Sequence, residues 1–287
     1  MEDDDIINDL HSSDEVEADK RAKKVLLLET ITKNCASSPH EILQKINAAI
    51  HSGDGSKLDA TVLCGGATNY SFKVFVDKHP DLRVYAKICF EFALSYRSTH
   101  YDLMRVKNEY KIMEEVSSIV QGCVVTALAL YDVEHKGNKM KLFMTEWSKS
   151  DEQFCNQFID GVVDPRIAPK VANTLATLNT IKDFDPEFNK TVQPCMENMF
   201  EHMKAVALAA IKDPSDRTKA YLASLGEEVV AKIMDANYAN YHEPDCLIHS
   251  DSHVFNILVE AKPSIEQLED FGPDGSVTLC DWEMAMA

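Results

Sequence analysis

Basic residues are scarce in this sequence, and that scarcity narrows its partners. Lys and Arg total 29 against 47 Asp and Glu, a formal net charge of −18. The first twenty residues hold nine acids and one base, Lys20, which leaves −10 for the remaining 267. Such a chain is repelled by nucleic acid and by anionic membrane surfaces, so neither is expected as a partner. An acidic surface favours solubility and also suits a cationic small molecule. Also missing is any apolar run of the ~20 residues that cross a bilayer as a helix. The eight cysteines, at 35, 64, 89, 123, 155, 195, 246 and 280, form no C-x-x-C pair, and no Cys/His cluster has zinc spacing. Most lie in apolar stretches such as Val84–Phe90, where buried free thiols are expected. The start Met1-Glu2-Asp3-Asp4-Asp5 is the reverse of a signal peptide's basic one. Together these features point to a reducing cytoplasm.

What is present is the profile of a globular protein, 45% hydrophobic and 26% charged over 287 residues, long enough to bury a core without staples. Residues 1–22 read as a disordered acidic tail. Lys24–Thr32 and His40–Ile50 read as helices, and Ser52–Ser56 breaks the chain. Ala60–Cys64, Tyr70–Asp77 and Arg83–Phe90 read as strands, with a turn at His79-Pro80-Asp81. Tyr101–Val116 reads as a helix. Val124–Val133 and Lys141–Trp147 read as a hairpin around His135-Lys136-Gly137-Asn138. From Asp151 the pattern turns helical, with helices opened by Pro165 and over about Cys195–Ile211 and Lys219–Ala236. Short strands are expected at Cys246–His249, Ile257–Glu260 and Val277–Cys280. A β-rich first half followed by a helical second half is an α+β order that suits two lobes with a cleft between them.

Five stretches carry chemistry. His249-Ser250-Asp251-Ser252-His253-Val254-Phe255-Asn256 has the frame H-x-D-x-x-x-x-N, the kinase catalytic-loop spacing: one carboxylate accepts a hydroxyl's proton, and an amide oxygen a turn later holds magnesium. Val277–Glu283 is an apolar strand that ends in Asp281, where a second metal-binding acid is expected. Gly65-Gly66-Ala67-Thr68-Asn69 joins two strands. Paired glycines let backbone approach phosphates and Thr68 and Asn69 add donors, although the loop is neither G-x-G-x-x-G nor a P-loop. Lys87, in Val84-Tyr85-Ala86-Lys87-Ile88, stands on the next strand where a lysine would grip phosphates. Its ion-pair partner is expected on the following helix: Glu109 is the first choice, with Glu114 and Glu115 as rivals. Leu142–Trp147 ends just before the helical half, and adenine would bond to the backbone near Glu146.

In this order the five elements resemble the aminoglycoside-phosphotransferase/choline-kinase superfamily over roughly residues 57–287. His249–His253 is similar to that family's H-G-D-L-H, and Leu279–Glu283 to its V-I-D-W-E. Gly65–Asn69 resembles the G-G-x-T-N loop of choline and ethanolamine kinases. Gly66–Phe72 and Asp160–Lys170 also resemble methylthioribose kinases, whose D-P-E is absent. The resemblance implies a protein-kinase-like two-lobed α+β fold, with an antiparallel N-lobe over 23–146 and a helical C-lobe over 147–287. It implies an ATP-dependent kinase, with magnesium, that phosphorylates a hydroxyl of a small acceptor, a cationic one being compatible with the acidic surface. By it, Asp251 is the catalytic base, Asn256 and Asp281 are magnesium ligands, and Gly65, Gly66, Thr68, Asn69, Lys87, Glu109 and Glu146 serve the nucleotide. Two departures stand out: Ser250 and Ser252 replace the family's glycine and leucine, which leaves a non-catalytic, nucleotide-binding relative as the alternative. The family's further C-terminal helices are expected beyond Ala287.

Overall fold

The computed structural model describes residues 13–63, 68–93, 96–120, 124–149, 152–161, 163–182, 187–212, 217–239, 246–252, 256–259, 277–283 and 285. The protein is α+β. Helices α1 (Ser13–Asn34) and α2 (Glu41–Ile50), linked through a 3-10 turn at Cys35–Ser37, precede β1 (Leu58–Leu63), β2 (Tyr70–Val76) and β3 (His79–Phe90). The short strands β4 (Phe92–Ala93) and β5 (Tyr96–His100) lead into α3 (Met104–Ile119), then β6 (Ala127–His135) and β7 (Asn138–Glu146). The main sheet has the order β1-β2-β3-β7-β6, with every neighbouring pair antiparallel. The β6–β7 hairpin forms where it is predicted. Lys136 (φ 52°) and Gly137 (φ 80°) both lie in left-handed backbone, the two-residue turn whose twist matches that of the strands.

The period of two along β3 divides its side chains between two cores. Ala86 and Ile88 face one side, where Phe72, Val74 and Leu142 meet Leu27 and Ile31 of α1 and Leu43 and Ile46 of α2. Each such fully buried side chain contributes about 1.5–3 kcal/mol. Cys89 and Phe143 face the other side, packed with Val106, Ile112 and Val116 of α3 and with Trp282. Lys87 shares that second face, on a strand central to the sheet.

The helical part follows: β8 (Glu152–Gln153), α4 (Phe154–Ile159), α5 (Ile167–Leu178), α6 (Glu187–Lys212), α7 (Arg217–Leu225) and α8 (Glu227–Ala239), then β9 (Ile257–Val259) and β10 (Val277–Leu279). The last two strands and β8 form a small antiparallel sheet in the order β10-β9-β8. Among the described residues no helix is long and apolar enough to cross a membrane.

Several expectations need correction. The acidic tail is not disordered throughout 1–22, because α1 begins at Ser13. Two of its described acids are paired: Glu17 accepts from Lys20 at 2.8 Å and Asp19 accepts from Tyr70 Oη on the sheet at 3.0 Å, while Lys24, further along α1, meets Asp59 at 2.7 Å. His79-Pro80-Asp81 belongs to β3 rather than to a turn. Pro80 is tolerated because the register shifts there and β7 pairs only from Val84 onward. The helix expected from Cys195 starts at Glu187 and runs through Pro194, with Val192 buried before the proline. The single helix expected over Lys219–Ala236 is broken at Gly226. Cys246–His249 is no strand of its own: only Ile248 is bridged, and Leu247 donates its N–H to Ile181 O at 2.9 Å.

Candidate functional site

A cleft of about 440 Å³ lies against the Lys87 face of the sheet. Tyr85, Lys87, Glu109, Trp147, Asn256 and Asp281 are among its walls. Strand alternation aims Lys87 into it, and three acids converge on its ammonium. Lys87 Nζ donates to Glu109 Oε1 at 3.0 Å and lies 2.8 Å from Oε2. It donates to Asp281 Oδ1 at 3.0 Å and stands 3.7 Å from Glu283 Oε2. Glu109 sits on the buried side of α3, whereas its rivals Glu114 and Glu115 are exposed. The Trp282 N–H donates to Glu109 Oε1 at 3.2 Å, so the chain after β10 is fixed to α3 at the same point.

The electrostatics follow from burial. Removal from water alone would pull the Lys87 pKa down, but Asp281, Glu109 and Glu283 more than offset this and hold it well above the usual lysine value. Burial pushes Glu109 up to about 7 against the pull of Lys87. Burial also acts upward on Glu283, but Lys87, Arg105, Asn69 and Thr68 bring it down to about 2. Burial and the charge of Glu283 raise Asp281, although Lys87 opposes them and the side chain keeps 36% of its surface open to water. The Cys280 thiol is pushed by burial up to about 12, so it stays neutral at the cleft wall.

The His249–Asn256 segment is laced to the segment after β10. His249 Nε2 pairs with Cys280 O at 3.0 Å, and the Cys280 N–H donates to Asn256 O at 3.0 Å. The His249 ring lies 4.5 Å from that of the fully buried Trp282. Asn256 Nδ2 donates to both the backbone O and Oδ2 of Asp251 at 3.0 Å. The Cys280 N–H bond to Asn256 O brings Asn256 next to Asp281 in the fold, and both residues, an amide and a carboxylate, line the cleft. Hard oxygen donors of this kind fit magnesium.

Most of the expected residues are brought together, but not all in the expected way. Lys87, Glu109, Asn256 and Asp281 meet at the cleft, with Asp251 held through Asn256. Gly65 and Gly66 lie outside the described residues. Thr68 and Asn69 both engage Glu283: Thr68 Oγ1 donates to Glu283 Oε1 and Asn69 Nδ2 to Glu283 Oε2, both at 3.0 Å. Glu146 closes β7 with an exposed side chain that accepts from Thr126 Oγ1 at 2.9 Å. Two members were missed. Arg105, wholly buried, donates to Phe90 O at 3.0 Å, Asn69 Oδ1 at 3.2 Å and Glu283 Oε2 at 3.4 Å. Glu283 is the carboxylate on which these groups converge. The spacing of Arg105 four residues before Glu109 puts both on one side of α3, a signal available in the sequence.

No known protein family matches the chain, and comparison with curated proteins gave no match either.

Proposed function

We propose that the protein is an ATP-dependent small-molecule kinase with a two-lobed, protein-kinase-like arrangement, related to the aminoglycoside-phosphotransferase/choline-kinase group. The observation that carries this reading is the Lys87 ammonium. It lies on a central strand, 2.8 Å from a helix carboxylate and 3.0 Å from Asp281, at the wall of a cleft. A lysine, a helix glutamate and a late-strand aspartate in contact are what phosphoryl transfer asks of a protein, since catalysis there is mostly positioning and charge stabilisation.

In this reading Lys87, held by Glu109, grips the phosphates. Asp251, oriented by Asn256 Nδ2, takes the proton from the acceptor hydroxyl. Asn256 and Asp281 would hold magnesium, whose charge offsets that of the triphosphate. The adenine end is assigned to the backbone near Glu146, where β7 ends. The acidic surface suits a cationic acceptor of the choline or ethanolamine kind, and a methylthioribose-type sugar is the other class that the loop similarities support.

The test is phosphate transfer from ATP to a panel of hydroxylated amines and sugars. Asp251→Asn should lower turnover by ~10²–10⁴-fold, the usual effect of losing a general base, and keep ATP affinity. Turnover that Asp251→Asn leaves unchanged would remove the proposed base. A second reading, nucleotide binding without transfer, is favoured by Ser250: a non-glycine residue in left-handed backbone beside the proposed base. ATP binding with no transfer to any acceptor would select it.

A further inference from the structure

Glu283 is 5% exposed, and both of its carboxylate oxygens are engaged. Oε1 accepts from Thr68 Oγ1 at 3.0 Å. Oε2 accepts from Asn69 Nδ2 at 3.0 Å and from Arg105 Nε at 3.4 Å, and lies 3.7 Å from Lys87 Nζ. Asn69 closes the ring by accepting from Arg105 at 3.2 Å. The donors come from three separate parts of the chain: the residues that follow the glycine pair, strand β3, and α3 one turn ahead of Glu109. Oxygens of Glu109, Asp281 and Glu283 lie within 4.8 Å of one another, so the three could be read as a metal site. Glu283 is poorly suited to it. A carboxylate has about four lone-pair sites; three donors already occupy this one, and the Lys87 charge stands 3.7 Å away. A cation on Glu283 would displace a donor and stand against the buried charges of Arg105 and Lys87.

We infer that Glu283 is a positioning residue rather than a metal ligand: its buried carboxylate ties Thr68 and Asn69, at the foot of the glycine loop, to Lys87 and α3. The functional half of this inference rests on the kinase reading, because it sets where a phosphate-facing loop stands relative to Lys87. The structural half does not. Loop, lysine and helix share one carboxylate, so its loss frees them together.

The full-length chain tests this with Glu283→Gln, Arg105→Met and the double variant. Hydrogen exchange at residues 68–72 should quicken about tenfold or more in Glu283→Gln, as expected for loss of hydrogen bonds to a charged group, while α5 keeps its protection. ATP affinity, measured with and without magnesium chloride, should fall by a similar factor in both conditions. Unaltered exchange at 68–72 would overturn the inference, and so would a loss confined to the magnesium-dependent part of binding, the mark of a metal ligand. If either single variant fails to fold, the double variant, which removes both buried charges, should fold better than it; no recovery would also overturn the pairing. A wild-type chain that binds no ATP would defeat the kinase reading alone, because hydrogen exchange and the double variant would still decide the role of Glu283.

Discussion

Ser250 shows how a single backbone angle marks a site. Its φ of 64° lies in the region that favours glycine, and its hydroxyl is buried with no hydrogen-bond partner among the described residues. A Cβ in that conformation costs about 1–2 kcal/mol. Ser250→Gly should therefore stabilise the fold by about 1 kcal/mol, part of the gain being offset by the greater freedom of glycine in the unfolded chain. Equal or lower stability in chemical denaturation would contradict this. Glu283 supplies a pH prediction. Its folded pKa of about 2 lies below the usual 4.5, so its contribution is complete above pH 4.5 and is lost as pH falls toward 2. The gap corresponds to something on the order of 3 kcal/mol. Denaturation curves from pH 5 to pH 2.5 should fall more steeply for wild type than for Glu283→Gln, and parallel curves would contradict the assignment. Glu109, raised to about 7, has the opposite sign and weakens the fold as pH rises from 4.5 toward 7. Lys87, Glu109 and Asp281 were legible because each stands at a fixed place in an ordered set of elements. The part played by Arg105 and Glu283 was not, because it depends on which buried charges meet across more than 170 residues.

Among the elements, the strands were read best where their turns have strong chemistry. Lys136-Gly137 announced its hairpin, and the alternation of Phe72, Val74 and Val76 announced a half-buried strand. Boundaries failed where tertiary contacts decide them. α1 extends into the acidic tail, where Asp19 finds a partner in Tyr70 on the sheet, which composition cannot reveal. Gly226 falls inside the helix expected over Lys219–Ala236, yet it sits at φ 82° and separates α7 from α8. A Cβ there would meet nothing within 4 Å, so only backbone strain opposes substitution. Gly226→Ala should cost about 1 kcal/mol, and Gly226→Asn less, because asparagine tolerates left-handed backbone. Calorimetric unfolding of the two variants checks the order; a stabilised alanine variant would mean that the helices prefer to fuse.

At the scale of the molecule, a five-stranded sheet separates two cores. One holds α1 and α2, and the other joins α3 to the segment around Trp282. The cleft lies on the second side, where Lys87 meets Glu109 from α3 and Asp281 from the far end of the chain. On the kinase reading proposed above, this junction binds magnesium-ATP through Lys87. Calorimetric titration of wild type and Lys87→Ala with ATP, with and without magnesium chloride, tests it most directly. Magnesium-dependent binding by wild type and a clear loss in Lys87→Ala are the expected results. No binding by wild type, or binding that Lys87→Ala leaves unchanged, would contradict it.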